Sequence, residues 1–251
     1  MKKHQINLFH QKKEEENDRL KPFDSNNIPD IVKETMLSED LSDFAKVGIK
    51  GSLGDFFKRV LCFVSKSFEA VSIGIDFYID ISDALFFKKF NYYLYGLIET
   101  TDKQRNKFMN EVEKAAEDNS ENVLMGMISR IDNIHKSTIL ANLTRARINN
   151  EISIEDFFRI STVVERVPYP DFKYLPEFTQ RNYIPGGVSE LLLSAGVLSQ
   201  TGIDGNEDHD WFELSPIGTK LMKYGLEYNV EVKDKTKIEL PELELADDML
   251  L

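Results

Sequence analysis

Apolar positions recur every three to four residues through most of this chain, the rhythm of helices that bury one face. Behind Ile28-Pro29-Asp30, the residues Ile31, Met36, Leu37, Leu41 and Phe44 keep that spacing and predict one helical stretch over 30–46. Gly48, Gly51 and Gly54 punctuate its end. A broad stripe of Phe56, Phe57, Val60, Leu61, Val64 and Phe68 predicts a helix over 53–71. Phe77, Ile81, Leu85, Tyr92 and Leu97 predict another over 73–98. Its Val, Ile and aromatic content also suits a strand in part, and length decides for the helix.

Caps divide the middle of the chain. Thr101, with Gln104 three positions on, makes a capping box ahead of KQRNKFMNEVEKAAED, with Phe108 and Val112 facing inward. Ser120 opens ENVLMGMISRID, and a further helix covers 134–149. Ser153, with Asp156 three on, caps IEDFFRISTVVERV, which must stop before Pro168 and Pro170. Four amphipathic helices joined by short turns predict an antiparallel bundle.

The C-terminal third has a different texture. Pro185-Gly186-Gly187 precedes the short helix VSELLLSAG, with Gly196 in the helix-stop position. VLSQTGI and WFELS read as two strands around the loop DGNEDHD, and Ser215-Pro216 starts a last helix with Ser as cap and Pro at its first position. Helix, hairpin, helix resembles the latter half of bacterial winged-helix modules, through Gly196-Val197-Leu198 and Leu214-Ser215-Pro216-Ile217-Gly218 over some forty residues. The expected fold is therefore mainly α. A mobile N-terminal arm (1–27) leads to an antiparallel helical bundle (28–167), a small winged-helix-like α+β module (168–230) and an acidic tail (231–251).

Composition narrows the function classes. At 251 residues the chain suits one large domain or two small ones. A net charge of −12 repels phosphate and argues against a surface that binds nucleic acid as a whole. The single cysteine, Cys62 in RVLCFV, forbids an internal disulfide and makes a Cys-based zinc site implausible, so a buried inert thiol is expected. MKKHQ is basic but no continuous apolar run follows, so no signal peptide is expected. Lys58, Arg59, Lys66, Glu69, Asp76, Asp80 and Asp83 interrupt the most apolar region and exclude a spanning helix, which needs about 20 mainly apolar residues. A cytoplasmic protein is expected.

None of the candidate reactive groups forms a complete site. Asp204, Asn206, Asp208 and Asp210 alternate as in a calcium loop, but His209 and Ser215 stand where its Gly and bidentate Glu belong, so a solvated hairpin tip is expected. Asp76, Asp80 and Asp83 share a helical face without the Glu-x-x-His companion of bundle metal sites. Asp132 with His135 has that spacing but no second copy, and His4, His10, His135 and His209 are too scattered to converge. No nucleophile elbow or phosphate loop is present. The expectation is a protein without catalytic residues, metal or cofactor. For nucleic acid the candidate contacts are Lys136, Arg145, Arg147 and Arg181. The helix that would read a duplex, VSELLLSA, contains Glu and neither Lys nor Arg, which disfavours that use.

Two further resemblances bear on function. Gln5-Ile6-Asn7-Leu8-Phe9 resembles the short peptide through which many bacterial replication and repair proteins dock onto the sliding clamp: Gln, an aliphatic residue, a small polar residue, then Leu-Phe. The resemblance implies an extended peptide in which Gln5 hydrogen-bonds at a pocket rim while Leu8 and Phe9 fill a hydrophobic pocket, with Ile6 matching the aliphatic position after Gln5. DISDALFFKKFNYYLYGL, DKQRNKFMNEVE, ILANLTRARINNEISIEDFFRIS and VVERVPYPDFKYL together resemble a recurrent, uncharacterised bacterial helical family, over about 28–225. That resemblance implies no activity, and a loose association with mobile elements and phage-related loci. The expected function is a non-enzymatic binding or adaptor protein docking on the sliding clamp, with a possible second partner for the acidic tail. The alternatives are a winged-helix transcription regulator and, last, a membrane-active effector formed by the helices of 56–87.

Overall fold

The computed structural model describes residues 21–22, 26, 28–50, 77–78, 81–203 and 210–226, and in them the chain is mainly helical with a small antiparallel hairpin near the C-terminus. The helices are α1 (Ile28–Leu37), α2 (Leu41–Lys50), α3 (Ile81–Tyr95), α4 (Asp102–Ala116), α5 (Ser120–Arg130), α6 (His135–Ile148), α7 (Ile154–Arg166), α8 (Val188–Ser194) and α9 (Pro216–Lys220). A 3₁₀ helix spans Tyr169–Thr179, and α9 runs on into a π-helical turn at Leu221–Gly225. Strands β1 (Lys21–Pro22) and β2 (Phe77–Tyr78) pair in parallel, and β3 (Leu198–Ile203) and β4 (Asp210–Leu214) pair antiparallel.

Two sequence expectations change here. The single helix expected over 30–46 is two, because Ser38 Oγ accepts the Asp40 backbone N–H at 3.0 Å and turns the chain between α1 and α2. The helix expected over 73–98 begins at Ile81 among the described residues, while Phe77–Tyr78 lies in a strand, the alternative its aromatic content allowed. The helix expected over 53–71 lies outside the described residues.

The cap chemistry appears as the sequence predicts. Thr101 Oγ1 accepts from the Gln104 backbone at 3.2 Å while Gln104 Oε1 accepts from the Thr101 backbone at 2.9 Å, closing the box at the start of α4. Ser153 Oγ accepts from Asp156 N at 3.1 Å, and Ser215 Oγ from Gly218 N at 3.0 Å. At the end of α8, Val197 N–H returns to Leu192 O and Gly196 N–H to Leu193 O. This is a Schellman closure, and it places Gly196 at φ +82°, a conformation glycine adopts without strain.

Packing centres on α6. Ile139, Leu140, Ala141, Leu143, Thr144 and Ala146 are all buried, so this helix hides more than one stripe and is surrounded by α3, α4, α7 and the π turn. Tyr93 of α3 shares a buried hydrogen bond with Thr144 at 2.9 Å, and Thr144 donates on to Leu140 O. Burial pushes the Tyr93 phenol far above its ordinary range, so it stays neutral. Just past α3 the backbone comes very close to α6: a Cβ on Gly96 would lie 2.5 Å from Ala141 Cβ. Gly96→Ala is accordingly expected to cost about 1–3 kcal/mol by overpacking, read from the midpoint of urea unfolding.

The segment after α7 carries a pattern of its own. Phe172, Leu175 and Phe178 are buried at three-residue intervals, and at three residues per turn such positions eclipse one another along one edge of a 3₁₀ helix. That ridge leads to the hairpin, where Leu198 faces Leu214 and Gln200 faces Phe212, with a bulge between Gln200 and Gly202. Asn182 exchanges both backbone hydrogen bonds with Phe212, at 2.9 and 3.0 Å, and so adds a bridge beside β4. Among the described residues one buried apolar cluster includes members from Ile28 to Leu221, drawn from the helices, the 3₁₀ ridge and the hairpin. Among the described residues no helix is long and apolar enough to cross a membrane.

Candidate functional site

Gln5, Ile6, Leu8 and Phe9 lie outside the described residues, as do His4, His10, Cys62, Asp76, Asp80, the hairpin tip with His209, and the acidic tail. The first described contact of the N-terminal region is the pairing of Lys21–Pro22 with Phe77–Tyr78. Eleven residues separate Phe9 from Lys21. At about 3.3–3.6 Å per residue, such a span extends to at most roughly 40 Å.

The four candidate nucleic-acid contacts do not form one patch. Lys136 stands in the first turn of α6 with no exposed surface. Its ammonium lies 2.5 Å from Asp132 Oδ1 and donates to Glu165 O at 3.2 Å. It therefore neutralises a carboxylate and satisfies an end carbonyl of α7, two structural tasks that withdraw it from any surface. Arg145 and Arg147 stand at the other end of α6, about 14–17 Å along the axis at 1.5 Å per residue. Arg147 donates to Glu111 Oε2 at 2.8 Å and to Ile152 O at 2.7 Å, while Arg145 Nη2 lies 3.8 Å from Glu99 Oε2. Arg181, beyond the 3₁₀ helix, is exposed. Lys136→Met should lower fold stability by about 1–2 kcal/mol, since Asp132 is 61% exposed and can be rehydrated while Glu165 O loses a donor. Arg181→Ala should leave the thermal midpoint unchanged; paired melts check both.

Among the described residues, one deeply engaged cation was not among the candidates. Arg105 of α4 is 2% exposed and donates Nε to Met36 O at 2.6 Å, Nη2 to Ser38 O and Nη1 to Thr100 O. These carbonyls belong to the end of α1, the turn beyond it and the loop before α4. One guanidinium thus supplies donors to a helix C-terminus that lacks them and pins two loops together. Desolvation lowers its pKa, only partly opposed by Asp102. A signal for this role exists in the sequence: Arg105 stands three, four and seven positions before Phe108, Met109 and Val112, and hence on the inward face of α4.

Several charged groups meet at the corner between α5 and α6. Lys89 of α3 donates to Ser129 O at 3.1 Å, Arg130 donates to Glu165 Oε2 at 2.8 Å, and Asp132 faces Lys136. Burial lowers the Lys89 pKa, and the Asp132 charge opposes that shift. His135 stacks on Tyr169 with ring centroids 5.1 Å apart, and its Nδ1 is buried without a hydrogen-bond partner. Asp132 and His135 thus have separate neighbours. Among the described residues no three His, Cys, Asp or Glu side chains come together as metal ligands.

In the C-terminal part, the face α8 leaves in solvent carries Glu190 and Ser194, with Leu191 and Leu193 half-buried beside them. Lys220 of α9 reaches across to Asp156 Oδ2 at 2.5 Å, and Asn142 of α6 donates to Gly225 O at 2.8 Å. The Lys220 hydrogen bond is the main cause holding the Asp156 carboxyl below its ordinary value of 3.8. A depressed folded pKa stabilises the fold in full above that ordinary value and loses its effect as pH falls through the lower, folded one. Asp156→Asn should therefore cost up to about 1 kcal/mol at pH 7 and progressively less as the pH falls below 3.8, as measured by urea unfolding over a pH series.

Comparison with known protein families, with curated proteins and with solved structures finds no match to this chain.

Proposed function

We propose that this chain is a non-enzymatic bacterial adaptor that docks onto the replication sliding clamp through Gln5, Ile6, Leu8 and Phe9. The observation that carries the reading is the motif itself: Gln, an aliphatic residue, a small polar residue and Leu-Phe in adjacent positions, within the charge-dense stretch 4–18, which has no other apolar side chain. Anchor-in-pocket binding needs little more, because a few buried apolar side chains carry most of the free energy of such a contact. The eleven residues between Phe9 and Lys21 are long enough, if extended, to set a captured peptide apart from the helices.

The arrangement of the helices is consistent with a scaffold role for the rest of the chain. Lys136, Arg147, Arg130 and Lys220 are each committed to a carboxylate or a carbonyl of the fold. In this reading the part from α8 through α9 is a winged-helix-like module used for packing. The order α8, β3, β4, α9 suits that assignment, and the seven residues of α8 bring no cation to a phosphate. The transcription-regulator alternative would need a cationic surface that Lys136 and Arg147, held as they are, do not provide.

The purified chain is expected to bind bacterial sliding clamp with a Kd on the order of 1 μM, about −8 kcal/mol. Leu8→Ala with Phe9→Ala should weaken this by more than about 100-fold, because both anchors are lost. Circular dichroism on the same double variant should match the parent. Equal binding by parent and variant, or no binding by the parent, overturns the proposal. Binding to duplex DNA with a steep salt dependence would favour the regulator instead.

A further inference from the structure

We draw no further inference here: the strongest candidate, the Lys89–Asp132–His135–Lys136 cluster at the corner between α5 and α6, closes on its own ion pair, helix carbonyls and the Tyr169 ring, and nothing in the structure shows a ligand that it would take.

Discussion

Arg105→Met should lower the thermal midpoint by about 6–12 °C. The side chain is of similar length and apolar, so little volume is lost, but three carbonyls lose their donors at once. Met36 O and Ser38 O sit at buried positions that water does not easily replace, and Thr100 O closes the loop before α4. Each unsatisfied buried group costs about 1–3 kcal/mol, which puts the total near 3 kcal/mol after partial rehydration. At roughly 2–4 °C per kcal/mol for a chain of this size, the stated shift follows. Arg105→Lys should recover only part of it, since one ammonium cannot reproduce a planar fork aimed at three separate oxygens. A midpoint within 2 °C of the parent for Arg105→Met would show that the guanidinium is not what ends α1.

Gly218→Ala should be comparably damaging, by about 2–3 kcal/mol and 4–12 °C. An added Cβ would stand 2.1 Å from Val197 O and 3.1 Å from Val197 Cγ1. The near atom is backbone, and it has little freedom to retreat. Val197 O already accepts the Ser215 N–H at 2.9 Å, and Val197 N–H is held by Leu192 O. Relief would have to separate α9 from the end of α8, breaking the Ser215 cap and its bond to Gly196 O at 2.7 Å. Hydrogen exchange should consequently speed up at the amides of Ser215 and Gly218 while those of α4 keep their protection. Uniform loss of protection across both regions would mean that the damage is not local.

The two variants also mark what could be read without coordinates. The caps at Thr101, Ser153 and Ser215 were legible because each is a local contract between a side chain and a backbone three residues away. The hairpin was legible for a similar reason, with Gly196 ending a helix and two short apolar runs flanking a polar loop. Ser38 was harder: its role depends on a hydrogen bond to Asp40 that competes with continued helix, and apolar spacing alone runs through both. The 3₁₀ ridge of Phe172, Leu175 and Phe178 escaped because two prolines suggested only an ending, whereas the spacing of three was already present.

The basic residues show the deeper limit. Lys136 and Arg147 looked like surface cations because charge normally seeks water, and sequence spacing gives no sign of a carbonyl arriving from another helix. Lys136 meets Glu165 and Arg105 meets Met36 and Ser38 across long stretches of chain. Such meetings are tertiary facts. Arg105 was nonetheless partly readable, since its place in the apolar register of α4 left it no route to solvent except along its own neighbours.

The reach of Arg105 back to Met36 and Ser38 has a consequence for the order in which a newly made polypeptide matures. Both α1 and α2 are synthesised ahead of α4, and the group that finishes the end of α1 is added 69 residues after Met36. During that interval the ribosome continues to add chain while the nascent segment holds an open helix end and an uncovered apolar flank. Maturation of this protein on the ribosome should thus wait for α4 to emerge from the exit tunnel, rather than proceed helix by helix from the N-terminus.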